Sequence, residues 1–279
     1  MCDSDWSSDV CSSDLGATLS DANIIGFNSN YGISVEGVNN AVAANYIGTD
    51  DGSNNLENNG PGIRVLASSV AVGEASGGGS VIGFNDGDGI LIRNASNVTV
   101  SANYLGETPN GDPVGNTGAG LSVLATSGNT ASNNVVGYDY GATIPGDPSP
   151  SSAAGNVIAN NGSAGVAVHG AGTATGNAVR GNSIFSNAIA GIDLGADGQT
   201  PNDSQDADSG PNNLQNAPVL SAAETELNSS GDIEVRYQVD CDPANCDYGT
   251  SGLAIDVYRT SGGGTTQGRT CLGSTLYAE

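Results

Sequence analysis

Short runs of alternating apolar and polar residues recur along most of the chain, separated by Gly, Asn, Asp and Pro. Asn23-Ile24-Ile25-Gly26-Phe27-Asn28, followed by Gly32-Ile33-Ser34-Val35, returns as Ser80-Val81-Ile82-Gly83-Phe84-Asn85 followed by Gly89-Ile90-Leu91-Ile92. Asn45-Tyr46-Ile47-Gly48, followed by Gly62-Ile63-Arg64-Val65, returns as Asn103-Tyr104-Leu105-Gly106 followed by Gly120-Leu121-Ser122-Val123. A looser copy runs from Asn156-Val157-Ile158 to Gly191-Ile192-Asp193-Leu194. Period-two alternation predicts strands, and no stretch carries a helical period. Strands this short cannot build a core as hairpins. Laying each Gly-Ile-x-Val strand on the preceding one satisfies the backbone at a rung spacing of about 4.8 Å. The pattern therefore predicts an all-β chain, with a right-handed parallel β-helix over residues 16–216.

In that register Ile33, Ile63, Ile90, Leu121, Val166 and Ile192 point inward, beside a second column of Val35, Val65, Ile92, Val123, Val168 and Leu194. A second wall is expected from Ile47, Ile82, Leu105, Val136 and Ile184. The Asn before it recurs as Asn45, Asn103, Asn134 and Asn182, with Ser80 once in its place, which suggests an amide ladder at a tight corner. The surplus residues fall at Thr49–Pro61, Glu107–Ala119 and Tyr138–Gly155, expected as loops on one edge. From Pro218 onward the pattern changes. Ile233–Val239, Leu253–Arg259 and Cys271–Leu276 read as longer alternating strands, so residues 217–279 are expected to form part of a β-sandwich-like module, cut short at Glu279.

Composition narrows the partners. Thirty Asp and Glu against six Arg, with no Lys, give a formal charge of −24, which repels a phosphate backbone or an anionic membrane face. Nucleic acid is thus not expected as a partner. This balance suits a protein that binds divalent cations or stays soluble in salt, and equally any acidic exported protein. No stretch reaches the ~20 apolar residues of a membrane span. Gly accounts for 43 of 279 residues, about twice the usual share of ~7%. Residues 5–15, Asp-Trp-Ser-Ser-Asp-Val-Cys-Ser-Ser-Asp-Leu, resemble the translation of a common sequencing adapter, so residues 1–15 are expected to be a non-native segment of a metagenomic fragment. Cys241, Cys246 and Cys271 cluster near the end, where one disulfide is expected rather than a metal site.

Asn45-Tyr46-Ile47-Gly48-Thr49-Asp50 ahead of a Gly/Asn loop, together with the run from Asp206 through Asn213-Leu214-Gln215-Asn216-Ala217-Pro218-Val219-Leu220, resembles bacterial exported proteins with parallel β-helix repeats of the pectate-lyase-like superfamily. The resemblance spans about residues 20–279 and implies an extracellular or cell-surface setting. It also implies two functional alternatives. One is a non-catalytic, rigid adhesive or structural module. The other is a carbohydrate-binding or polysaccharide-degrading protein acting on acidic glycans, a lyase or a hydrolase, with a polysaccharide or cell-surface glycan as partner.

The outward positions test the second alternative. Glu36, Arg64 and Arg93 fall on consecutive rungs, with His169 and Asp193 further along the same face. They could form a carbohydrate groove, or Glu36 and Arg64 could simply pair on a solvated face. One His cannot build a Ser/His/Asp set or a His metal cluster. Asp197, Asp203, Asp206 and Asp208 crowd a Gly/Asn/Pro-rich stretch and offer hard oxygen donors to calcium, or form an acidic linker. Asp240, Asp242 and Asp247 form a second, weaker candidate.

Overall fold

The computed structural model describes residues 19, 22–73, 78–138, 155–220, 226–227, 233–241, 253–260 and 267–277 of the 279-residue chain. Residues 1–15, and with them the adapter-like segment, lie outside the described residues.

Strands of two to four residues have too few backbone groups to stand alone, and each finds its partners one coil away. Three parallel sheets result. Sheet 1 stacks Asn23–Ile25, Asn45–Ile47, Val81–Ile82, Tyr104–Leu105, Val157–Ala159 and Ser183–Phe185. Sheet 2 stacks Ile33–Val35, Ile63–Val65, Ile90–Arg93, Leu121–Leu124, Val166–His169 and Ile192–Leu194. Sheet 3 stacks Ala41–Val42, Ala71–Val72, Thr99–Val100, Val135–Gly137 and Ala178–Arg180. The described residues contain no α-helix, and no helix is long and apolar enough to cross a membrane.

The two columns of sheet 2 stack in the predicted register, Ile33 on Ile63 on Ile90 on Leu121 on Val166 on Ile192. Interior members are fully buried, whereas Ile192 on the last rung is 46% exposed. The second wall needs one correction. Its column is Ile25, Ile47, Ile82, Leu105, Ile158 and Ile184. Val136 belongs instead to sheet 3, with Val42, Val72, Val100 and Val179. Two-residue strands such as Ala41–Val42 carry no alternation, so the third sheet leaves almost no period to read.

Asparagine ladders hold the corners, and here too the sequence grouping changes. One ladder at the start of sheet 1 runs Asn23, Asn45, Ser80, Asn103, Asn156, Asn182. Asn134 is not in it; it joins Asn177 and Asn212 at the start of sheet 3. A further ladder follows sheet 1 and runs Asn28, Asn58, Asn85, Asn116, Asn161, Asn187. In each step of this last ladder the side-chain amide donates to the next residue's Oδ1, so polar groups buried inside the corner are satisfied.

The long loops do not share one edge. Thr49–Pro61 and Glu107–Ala119 both leave from sheet 1, but Tyr138–Gly155 leaves from sheet 3 after Gly137; its residues 139–154 lie outside the described residues.

Past Leu194 the described strands are antiparallel pairs: Val219–Leu220 with Tyr237–Gln238, Glu226–Leu227 with Ile233–Glu234, and Leu253–Thr260 with Gly268–Tyr277. The last pair seats on the final rung. Gln267 terminates the third-described ladder: its Oε1 accepts from the Asn187 amide at 2.9 Å, and its Nε2 donates to the Asn187 carbonyl at 2.7 Å. The Ser183 hydroxyl donates to the Arg269 carbonyl at 2.5 Å, and Arg180 makes a bidentate pair with Asp256 at 2.6 and 3.2 Å. Replacing Gln267 by Ala orphans buried Asn187 groups, a loss of about 1–3 kcal/mol. We expect hydrogen exchange at Asn187 to accelerate first; an unchanged rate there would show that Gln267 does not cap the stack.

Candidate functional site

The predicted carbohydrate face resolves into two separate clusters. At the first rungs, Arg64 donates to Glu36 Oε1 at 3.2 Å, to Ser34 Oγ and to Tyr31 Oη, with its guanidinium 4.0 Å from the Tyr31 ring centroid. Glu36 and Arg64 thus partner each other across adjacent rungs. Arg93, one rung on, is exposed and shares no ion pair with them among the described residues.

At the far rungs the face is not the solvated surface that alternation implies. Ser122, Ala167 and Asp193 are all outward in register, yet buried, Asp193 being only 3% exposed. The chain folds back after Leu194, so that the Gly198 amide donates to Asp193 Oδ2 at 3.2 Å; Oδ1 is buried without a hydrogen-bond partner. His169 is half-buried on the neighbouring rung.

Asp88, which sequence reasoning passed over inside Asp86-Gly87-Asp88-Gly89, accepts from the Ala119 amide at 2.8 Å and from Ser122. Burial pushes its carboxyl above the usual range, against the opposing pull of those hydrogen bonds and of His169 nearby. A carboxyl whose folded pKa is raised stabilises the fold fully below its unfolded pKa, about 3.9, and that contribution is lost as pH rises through the folded value. Melting curves should therefore shift upward as pH is lowered through the raised folded value toward the unfolded one. Asp88→Asn should remove part of that shift; an identical pH profile in the variant would contradict the assignment.

The acidic stretch after the solenoid divides as well. Asp203, Asp206 and Asp208 bring one carboxylate oxygen each within 4.8 Å of one another. Asp197 is not among them, its Oδ1 lying instead above Gly195. Burial first, then the charges of neighbouring Asp residues, raises the carboxyl pKa of both Asp206 and Asp208. Asp240, read from sequence as part of another cluster, contributes to that field at Asp206, and its carbonyl accepts from Asn216 Nδ2 at 2.7 Å. Asp242 and Asp247 lie outside the described residues. An open cleft of about 380 Å³ beside this cluster is lined by Asn202, Asp203, Ser204, Val219, Gln238 and Asp240. Cys241 is disulfide-bonded; Cys246 lies outside the described residues.

A family sequence model described as a right handed beta helix region matches residues 51–202. No curated protein and no solved structure matches the chain.

Proposed function

Because the chain belongs to the right-handed β-helix family, we propose that it works as a non-catalytic, rigid adhesive or structural module of an exported or cell-surface protein. The observation that carries this reading is the Glu36–Arg64 cluster. The charges that would meet a uronate are already paired with each other and with Ser34 and Tyr31, so a ligand would have to displace those contacts before gaining its own. A carboxylate-bearing polymer would also approach a chain of formal charge −24. Incubation with pectate and alginate tests the reading: it expects neither new reducing ends nor unsaturated products, and either product would sink it.

One observation favours the degrading alternative. Asp88, with its raised proton affinity, and His169 share a face with Asp193, so Asp88→Asn and Asp193→Asn are the variants to compare if cleavage is seen.

Calcium at Asp203, Asp206 and Asp208 belongs to the same extracellular reading. These carboxylates supply hard oxygens, and Asp208 Oδ1 is buried without a hydrogen-bond partner. An ion bound only by the folded chain must stabilise it. EGTA should therefore lower the melting temperature, and an unmoved value would remove the ion.

A further inference from the structure

The outer side of sheet 1 carries an aromatic strip that none of the preceding chemistry uses. Tyr46, Val81 and Tyr104 occupy successive rungs in one column, on the side of the sheet opposite Ile47, Ile82 and Leu105; Val81 is itself fully buried between the two tyrosines, which are the accessible members of the column. The residues two positions to either side are Ala44 and Gly48, Gly79 and Gly83, Ala102 and Gly106, so these strands place no larger side chain of their own beside the column, and Val114 packs on Gly83. Both tyrosines are half-buried. They sit two rungs apart, roughly 10 Å along the axis at ~4.8 Å per rung.

Two excursions of the chain border this strip. The first leaves at Gly48 and closes where the Leu56 amide donates to the Gly48 carbonyl; the second leaves at Gly106 and closes where the Val114 amide donates to the Gly106 carbonyl. Phe84, on the rung between them, donates its amide to Val114. The bordering segments carry Asp50, Asp51 and Glu57 on one side and Glu107 and Asp112 on the other, with no Lys, Arg or His in either. Asp51 and Asp50 lie within electrostatic reach of the strip: after burial, their charges are what raise the Tyr46 phenol.

We propose that this strip binds a glycan whose sugar rings carry primary ammonium groups. The C–H faces of pyranose rings pack on phenol rings, and an extended polymer lying along the helix axis meets Tyr46 and Tyr104 in turn. Ammonium groups then meet Asp51 and Asp112 at the borders, with cation–π attraction added at the rings. A neutral glycan would leave the carboxylates unused and an acidic one would be repelled. A basic peptide would match the charge but has no use for flat rings repeated along the axis. The proposal rests on the reading of the solenoid as an adhesive surface, which the cleavage assay tests separately, since loss of binding here would leave that assay's outcome unchanged.

Calorimetric titration with a β-1,4-linked glucosamine hexamer provides the test, with the N-acetylated hexamer and hexalysine as comparisons. The glucosamine hexamer should bind, and bind more weakly as salt rises. Tyr46→Ala with Tyr104→Ala, and separately Asp51→Asn with Asp112→Asn, should each weaken binding at least about tenfold. Tyr46→Leu with Tyr104→Leu keeps the column filled and guards against a folding defect; it should weaken binding with an unchanged melting temperature. The N-acetylated hexamer should also bind at least about tenfold more weakly. Absence of binding, full affinity in the leucine variant, or equal binding of the N-acetylated hexamer would each overturn the proposal. Hexalysine binding as tightly, and equally well to the tyrosine variants, would assign the surface to basic peptides instead.

Discussion

Replacing Asn161 by Ala should cost about 3–5 kcal/mol, because several buried groups lose their partners at once. Asn161 is 1% exposed. Its Oδ1 accepts from the Asn116 amide at 3.3 Å and from Asn116 Nδ2 at 3.0 Å, and its own Nδ2 donates to the Leu105 and Ala159 carbonyls and to Asn187 Oδ1. Alanine leaves the Asn116 amide and the Leu105 and Ala159 carbonyls short of partners with little room for water, and it interrupts a ladder whose members polarise one another. Asn161→Asp is the sharper probe. It keeps the acceptor and nearly the same volume, yet it removes the three donor contacts and buries a charge, so it should be no better tolerated than Ala. Asn129→Ala is the control: Asn129 is exposed and its side chain donates only to Thr126 and Ser127 in its own turn, while its backbone bond from Thr173 is kept in the variant, so its replacement should stay within about 0.5 kcal/mol. Melting temperature reads the difference, with a drop of roughly 10 °C for Asn161→Ala. Equal melting of the Asn161 and Asn129 variants would show that the ladder is decorative.

The second large effect comes from the apolar interior. Leu121 is fully buried, in register between Ile90 and Val166. Truncation to Ala removes three carbons from a column whose neighbours are fixed by backbone ladders above and below and cannot collapse inward. The cost should lie near the upper end of the ~2–5 kcal/mol seen for such changes. Ile192→Ala, on the partly exposed last rung of the same column, should cost under about 1 kcal/mol, since little apolar area is lost there. Denaturant melts of the two variants make the comparison. A difference below about 1 kcal/mol would mean that burial does not grade from the end of the stack toward its middle.

How far the sequence led depends on which residues had a period to show. The Gly-Ile-x-Val strands keep one inward and one outward face over each rung, so sheet 2 and its register were readable to the residue, as Ile33 through Ile192 show. Sheet 3 was not, since Ala41–Val42 and Ala71–Val72 are too short to alternate, and Val136 was drawn to the wrong wall by the Asn before it. The ladder through Asn58 and Asn116 was missed for a related reason. Those residues lie at the ends of long excursions, so their distance from the preceding strand differs from that of Asn28 and Asn85.

The candidate sites were less legible because burial there depends on chain returning from elsewhere. Asp193 has the spacing of a solvated residue, and it is chain returning after Leu194, through the turn at Gly198 that donates to its Oδ2, that helps enclose it. Asp203, Asp206 and Asp208 were found from proximity in sequence, whereas Asp240 joins them through Asn216. Asp88 sits between two glycines, a context that reads as a plain turn.

Native-state hydrogen exchange resolved at single amides tests most directly whether the solenoid is one rigid stack. The amides of Ile63, Ile90, Leu121 and Val166 each donate to the next coil, and a continuous stack predicts that all four exchange at one common, slowest rate while residues 50–55 and 109–112 exchange far faster. One interior rung, Ile90 or Leu121, exchanging orders of magnitude faster than its neighbours would contradict it, because the stack would then open in the middle and could not serve as a rigid module.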